Sequence, residues 1–482
     1  MATHIPTLYQ KQTALLADLY HLTMAYGFWH QERSEQESCF HLFFRKPPYD
    51  QPFVIAAGLE LAMDVVEQLT FTPDHIRYLG QLKGADDKPL FPIAFLNYLQ
   101  RLTFSCDIDA VPEGTVVFPH QPLLRVTGPL VQATILESAL INVLNFSTLI
   151  ATKSQRIVAA AEGDPVLEFG LRRAQGLDGA LTASRSAYIG GCHATSHLLA
   201  GHHYHIPVKG THAHSWVMCF DSEEEAFNAY ADALPNNCIF LVDTYDTLAG
   251  VEKAIAMGRR LREQGHELNG IRLDSGDLVE LSKKARILLD EAGFPDASIV
   301  GSDGLDEYKI RDFKKAGSAI NVWGVGTRLV TGQEQTALGG VYKLGAIREK
   351  DGSWQGAIKL SEEAIKTSNP GILDIRRYYA EDGTPLADML FDTRQEPQDE
   401  WVSFDGVDRM DLRGTSSKTL LQPIFRGGER VYSPPPLTGI RDFAREQVEA
   451  FSTFLKKPYR SGLARNLYAR KRAMSQEMMA RS

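Results

Sequence analysis

Seven of the fourteen histidines in this 482-residue chain fall between His193 and His214, and the run that closes the cluster is GTHAHSW at 210–216. Imidazole is half-neutral near physiological pH and nucleophilic, so a histidine held in a loop can take a proton, a metal ion or a phosphoryl group. Residue type alone leaves all three open. The apolar lead-in Ile206-Pro207-Val208 reads as a short buried strand, and Gly210 frees the backbone to turn, which puts His212 and His214 at a strand's carboxyl end. That is where α/β enzymes place their reacting groups.

Other apolar runs end in similar chemistry: EFGLRR at 168–173, VDTYD at 242–246, RLDSGD at 272–277, GSDGLDEY at 301–308 and GVGTRL at 324–329. A purely structural array would not need polar or glycine-bearing ends at every repeat, so convergence on one rim is expected. Arg172, Arg173, Arg272 and Arg328 can pair with carboxylate or phosphate. Gly276, Gly301, Gly324 and Gly326 let backbone N–H groups approach phosphate oxygens, and Asp243, Asp274 and Asp277 can hold sugar hydroxyls or Mg²⁺. Ser275 and Ser302 lie in the same runs and join the substrate-binding candidates, although Ser275 also stands where a helix cap belongs. Blander readings compete. GVGT lacks the third glycine of a dinucleotide fingerprint. Phe169 is of a type found more often in a core than against a ligand. His202, His203 and His205 read as solvated surface, and the basic stretch 456–472 as a solvated terminal helix.

These residues need a scaffold, and its rhythm is visible from about residue 165. The runs PVLEFG, IPVKG, IFLVD, GIRLD, SIVGS and NVWGV recur at roughly the interval a βα unit requires. Between them, Leu248, Val251 and Ile255 mark one buried helical stripe, and Leu278, Leu281, Ala285 and Leu288 mark another. A barrel or a doubly wound sheet follows. Upstream, helical patterns at 15–29 and 59–69, a strand at 39–44, hairpin texture at 111–126 and a long helix from about 130 look α+β. The expected division is an N-terminal α+β domain at 1–130, a barrel at 131–345 and a C-terminal segment at 346–482.

Composition narrows the function classes. The chain is 44% hydrophobic and 23% charged, ordinary globular stock, and its net charge of −9 repels a phosphate polymer, so no nucleic acid partner is expected. Five scattered cysteines with no C-x-x-C make a disulfide framework or structural zinc site improbable and fit a reducing, cytoplasmic setting. The start, MATHIPTLYQKQ, lacks the basic-then-apolar texture of an export signal. The apolar stretch 128–151 is interrupted by Gln132, Glu137, Asn142 and Asn145, so no membrane partner is expected either.

The runs ADLYHLTMAYGFW, EFGLRRAQGLDGALTASRSAYIGG, GTHAHSW, LVDTYDTLAGV and IRLDSGDL, with the segment 323–344, resemble the nicotinate phosphoribosyltransferases in their bacterial form. The resemblance covers about residues 16–377. It implies an irregular or incomplete α/β barrel plus an α+β domain built from both chain ends. It also implies conversion of nicotinate and phosphoribosyl pyrophosphate to nicotinate mononucleotide and pyrophosphate, coupled to ATP hydrolysis with Mg²⁺, in a homodimer with sites at the subunit interface. By the same resemblance His214 is the histidine phosphorylated from ATP, and His212 sits where relatives tolerate other residues. Phe169 stacks on the pyridine ring, Tyr20 reaches in from the partner subunit, and Arg172 lies near the nicotinate carboxylate. Arg272, Asp243 and Asp274 contact ATP or phosphoribosyl pyrophosphate, and Gly324 to Thr327, with Gly326 between them, cradle the 5′-phosphate. Three departures stand out: Ala17 where the family usually has Thr; His197 where it usually has Asn, a position the resemblance puts close to the ring-binding pocket and so among the substrate-binding candidates; and GILDIRR at 371–377 in place of a basic run.

Two rivals belong to other classes. A metal-dependent barrel hydrolase would use H-A-H as ligands, but it needs histidines on later strands, and His266 alone follows His214. A catalytically silent binding homologue would keep the fold without the His214, Arg172, Arg272, Asp243 and Asp274 set.

Overall fold

The computed structural model describes residues 13–359, 367–396, 399–455 and 458–481. The chain separates into two compact units, one formed by Met1–Leu149 and Ala337–Ser482, the other by Ile150–Thr336. The sequence-based divisions at 130 and 345 differ from these for a packing reason. The helix Leu130–Ile135 is buried along its whole length, and the strand Gly340–Arg348 pairs with Glu37–Phe44, so both stay with the first unit.

The first unit is α+β, and the two chain ends are interleaved within it. Its seven-stranded antiparallel sheet runs in the order Trp354–Gly356, Gly340–Arg348, Glu37–Phe44, Leu124–Pro129, Asp107–Ala110, Gln422–Arg426 and Glu429–Arg430. C-terminal strands thus flank N-terminal ones on both sides. A six-stranded sheet is wholly C-terminal, and in it Arg460–Ala464 lies between Pro385–Asp392 and Glu400–Ser403. The expected solvated helix at 456–472 is corrected here. Residues 456 and 457 lie outside the described residues, Arg460–Ala464 is an interior strand, and only from Arg465 does a helix run. Burial explains the strand: only Arg460 is exposed, and Gly462, Leu463 and Ala464 are buried in succession, as an interior strand covered on both faces requires. Among the described residues no helix is long and apolar enough to cross a membrane. The leader MATHIPTLYQKQ lies outside the described residues.

The second unit is a parallel α/β array. Its strands are β1 (Val166–Glu168), β2 (Ala194–Thr195), β3 (Ile239–Leu241), β4 (Gly270–Leu273), β5 (Ser298–Gly301) and β6 (Val322–Val325), in the order β2-β1-β6-β5-β4-β3. The first and last strands pair, and each of the others follows its sequence neighbour, so the sheet curls as a barrel does. The ladder does not close between β2 and β3. Ile206-Pro207-Val208, expected to be a strand, makes a single parallel bridge from Val208 to Thr195, because Pro207 has no N–H to give and Val208 is left 42% exposed. The curled sheet is therefore an incomplete barrel.

The helices after β3, β4 and β5 begin at side-chain caps. Asp246 accepts from the Ala249 N–H, Asp277 from Glu280, and Asp306 from Tyr308 and Lys309. Each cap satisfies amides that the helix leaves free and pins the far end of a short strand-to-helix loop. The cap of Leu278–Glu291 is Asp277, which corrects the assignment to Ser275. That helix buries Leu278, Ser282, Ala285 and Leu289, a stripe rotated slightly from the expected one.

Candidate active site

The strand-end residues of the second unit meet around a cavity of about 230 Å³ lined by Phe169, Leu171, Arg172, Ser196, Gly210, Thr211, His212, Ala213 and Arg272. Phe169 follows β1 and is held from behind. Its N–H donates to the Val325 carbonyl at 2.8 Å, and the preceding Glu168, 1% exposed, accepts from the Ser184 hydroxyl at 2.8 Å and the Thr195 hydroxyl at 2.6 Å and contacts the Gly170 N–H. Three donors on one buried carboxylate fix the turn that presents the ring. Arg272 stands over that ring, its guanidinium carbon 5.7 Å from the centroid.

Arg272 is the hub of the adjoining wall. It donates through Nε to Ser302 Oγ at 2.9 Å, through Nη1 to Thr211 Oγ1 at 3.1 Å and through Nη2 to Asp274 Oδ1 at 2.8 Å. Ser302 contacts the same Asp274 oxygen. Asp243, at the end of β3, accepts on Oδ2 from the Asp274 N–H at 2.8 Å and from Ser275 Oγ at 2.7 Å. Its Oδ1 is buried and has no hydrogen-bond partner among the described residues. His214 opens the five-residue helix His214–Met218; its Nδ1 lies 3.1 Å from Thr244 Oγ1, and its Nε2 lies 3.9 Å from both Asp243 Oδ1 and Asp274 Oδ2. An imidazole with a hydroxyl at one nitrogen and two carboxylates beyond the other can serve as a base or as a nucleophile.

The structure brings together Phe169, Arg172, Arg272, Ser302, Asp243, Asp274, Ser275 and His214, and reassigns several others. Arg172 projects from the exposed turn Leu171–Arg173 and has no ion-pair partner among the described residues. His197 is 5% exposed and sits behind the wall, Nδ1 3.2 Å from Ser184 Oγ, while its neighbour Ser196 lines the cavity. Gly301 and Gly324 each have a packing reason of their own. A Cβ on Gly301 would meet Ile320 Cδ1 at 2.7 Å, and one on Gly324 would meet the Phe169 ring at 2.8 Å. Gly276 provides a turn at φ +80°, and Asp277 is the helix cap. Gly326 precedes the single turn Thr327–Val330, where Arg328 pairs with Asp306 at 2.6 Å. Tyr20 belongs to the other unit, 49% exposed on the helix Leu19–His30; what burial it has, then Glu137 and Asp18, push its phenol above the ordinary value. His202, His203 and His205 are exposed. Among the described residues no group of three or more His, Cys, Asp or Glu could hold a metal ion by itself.

Sequence reasoning missed three residues. Thr244 faces His214, Thr211 faces Arg272, and Ser184 supports Glu168. All three lie inside quoted motifs; beside Thr211 and Thr244 a neighbouring charged or histidine residue drew the attention, and Ser184 lies 16 residues from its partner with no local signal of the pairing.

Comparison with known proteins agrees with this geometry. Family models for the N-terminal domain, the family core and the C-terminal domain of nicotinate phosphoribosyltransferase match residues 15–145, 165–366 and 374–460. The nicotinate phosphoribosyltransferase of Bacillus subtilis is 39% identical over 447 residues, covering 90% of this chain and 88% of the relative; the human protein of that name is 34% identical over 432 residues, covering 78% and 79%. The crystal structure of human nicotinic acid phosphoribosyltransferase superposes with a TM-score of 0.83 at 29% identity, covering 95% of this chain and all of that one. A nicotinate-nucleotide pyrophosphorylase from Pyrococcus furiosus, at 21% identity and a TM-score of 0.68, shares the fold. With matches along most of its length and relatives this similar, the chain belongs to the nicotinate phosphoribosyltransferase family.

Proposed function

We propose that this chain joins nicotinate to phosphoribosyl pyrophosphate, releasing nicotinate mononucleotide and pyrophosphate in NAD salvage, and couples the transfer to ATP hydrolysis through a phosphohistidine at His214. The observation that carries the coupling is the setting of that imidazole. Its Nδ1 faces the Thr244 hydroxyl at 3.1 Å and its Nε2 lies 3.9 Å from the Asp243 and Asp274 carboxylates, so a ring nitrogen stands among polar groups from which it can attack the γ-phosphorus. As the N–P bond forms, the bond from the γ-phosphorus to the bridging oxygen of ATP breaks and ADP leaves; water later takes the phosphoryl group from nitrogen as phosphate.

The cavity suits the acceptor. Its volume is below the roughly 300–1,000 Å³ of larger ligand pockets, so a single ring fits, with Phe169 offering a face and Arg172 a charge for the carboxylate. Attack by the pyridine nitrogen on the anomeric carbon passes through an oxocarbenium-like state, which nearby carboxylates stabilise. The donor set fits Mg²⁺: the unpartnered Asp243 Oδ1 and the Asp274 carboxylate would hold it with phosphate oxygens, where it would neutralise the departing pyrophosphate. Tyr20, exposed on its helix, would complete the ring site of a second subunit in a homodimer.

The test measures turnover with nicotinate, nicotinamide and quinolinate, each with and without ATP, alongside transfer of labelled γ-phosphate to the protein. Nicotinate should be strongly preferred, and ATP should leave an acid-labile label that His214→Ala abolishes while a slower, ATP-independent transfer survives. Equal specificity constants for nicotinate and nicotinamide would remove the role of Arg172. A label that persists in His214→Ala would remove the phosphohistidine.

A further inference from the structure

The curled sheet has a seam, and one side chain crosses it. Among the described residues Val208 touches β2 by a single bridge and β3 pairs only with β4, so the ladder there has no strand partner for the outer edge of β3. The Leu241 N–H on that edge, 1% exposed as a residue, donates to His212 Nε2 at 3.2 Å. A backbone amide can only donate, so Nε2 is the unprotonated nitrogen and Nδ1 carries the hydrogen, 3.4 Å from the Ala213 carbonyl. The ring, 7% exposed, is packed by Tyr230 at 5.0 Å between centroids and by Phe227 and Phe240 at 6.1 and 6.3 Å. Burial pulls its pKa down to about 4, Arg272 and His214 add to that, and the Ala213 carbonyl opposes it, so the neutral tautomer persists at working pH.

We infer that His212 is a positioning residue that closes the barrel seam: by accepting the Leu241 N–H it fixes the 210–214 loop, which holds Thr211 on Arg272 and His214 on Thr244. The consequence lies one residue before His212 and two residues after it. Thr211 receives Arg272 Nη1, and His214 Nδ1 faces Thr244, which follows β3 by three residues. If the loop drifts from β3, both contacts stretch, and the cavity that Thr211, His212 and Ala213 line changes shape. His212 is therefore neither surface nor bystander.

The inference rests on the proposed nicotinate cavity and on His214 as the phosphorylated residue, and its test separates the two. His212→Gln keeps an acceptor near the Nε2 position; His212→Leu keeps the packing and loses the acceptor. Measured on the full-length enzyme, His212→Gln should hold the nicotinate KM within about threefold of wild type. His212→Leu should raise it about tenfold or more, the effect of one orphaned buried amide. Both should still accept γ-phosphate on His214. Absence of label in the wild type would overturn the His214 reading while leaving the Gln–Leu comparison intact. His212→Leu with a lowered Tm but an unchanged nicotinate KM and kcat, or His212→Gln as impaired as His212→Leu, would overturn the seam. Should neither variant fold, ¹⁵N-histidine spectra of the wild type decide it: His212 Nε2 should stay unprotonated down to about pH 5, and a protonated Nε2 at neutral pH would end the inference.

Discussion

A missing side chain shapes this site as much as any present one. Gly324 stands on β6 where a Cβ would lie 2.8 Å from two carbons of the Phe169 ring, closer than real Cβ contacts allow. Gly324→Ala therefore displaces the ring. We expect a nicotinate KM raised about three- to tenfold with little change in the KM for phosphoribosyl pyrophosphate. Steady-state kinetics with each substrate varied in turn would show it, and a selective rise for phosphoribosyl pyrophosphate would restore Gly324 to a phosphate cradle. The same distinction applies to the acidic residues. Asp243 keeps one buried oxygen unpartnered, as a ligand-binding carboxylate should, whereas Asp306 spends both its oxygens on a helix amino end and Arg328.

At the scale of elements, the site is held by short parallel strands, and the helices after β3, β4 and β5 begin at side-chain caps. Asp277 shows why sequence alone misassigns such residues: RLDSGD offers two carboxylates and a serine, and only geometry shows which does what. Ser275 Oγ is taken by Asp243, and Asp277 accepts the Glu280 N–H at 3.2 Å. Asp277→Ala should cost about 1 kcal/mol of stability, as loss of a cap does, and leave substrate KM values near wild type. Urea midpoints read beside kinetics test this. Unchanged stability with a raised KM would return Asp277 to the substrate.

Across the whole molecule, buried neutral histidines set the acid limit. His41 in the first unit is 2% exposed, accepts the Leu373 N–H at 3.0 Å, and has its pKa pulled down to about 3 by burial, with Arg125 adding to the shift and Asp392 opposing it. His120 is held at about 4 by burial, Lys471 and Arg45. The unfolded chain takes up these protons near pH 6.5 and the native state refuses them. Stability is therefore fully present above about pH 6.5 and is lost as pH falls toward the folded values. His41→Gln keeps the acceptor and removes the titration, so the pH dependence of unfolding below about pH 6 should flatten by up to roughly 1.4 kcal/mol per unit. Urea unfolding at a series of pH values would measure the slope, and an unchanged slope would show that His41 titrates normally. Assembly belongs to this scale too. If Tyr20 completes a partner's site, activity per chain should fall on dilution below the dimer dissociation constant. A fully active monomer in sedimentation at assay concentration would contradict it.

How much of this was legible depends on how local the cause is. Strands at Val166–Glu168, Ile239–Leu241, Gly270–Leu273, Ser298–Gly301 and Val322–Val325 were visible because burial on both faces demands short continuous apolar runs, and the polar ends of those runs marked the rim. The family resemblance rests on the same motifs and named Phe169, Arg172, Arg272, Asp243, Asp274 and His214. Tertiary structure decided what depends on partners distant in sequence. The interior strand Arg460–Ala464 looks like a basic tail until Pro385–Asp392 and Glu400–Ser403 flank it. Gly301 and Gly324 look alike as phosphate glycines until Ile320 and Phe169 fill the space beside them. His212 and His214 share one motif and one side-chain chemistry. Only the missing ladder beside Leu241 gives the first a backbone amide to hold, and only the Asp243, Thr244 and Asp274 loops give the second its carboxylates and hydroxyl. Residue type sets what a side chain can do, and the burial and partners that choose among those possibilities exist only once the chain has closed around it.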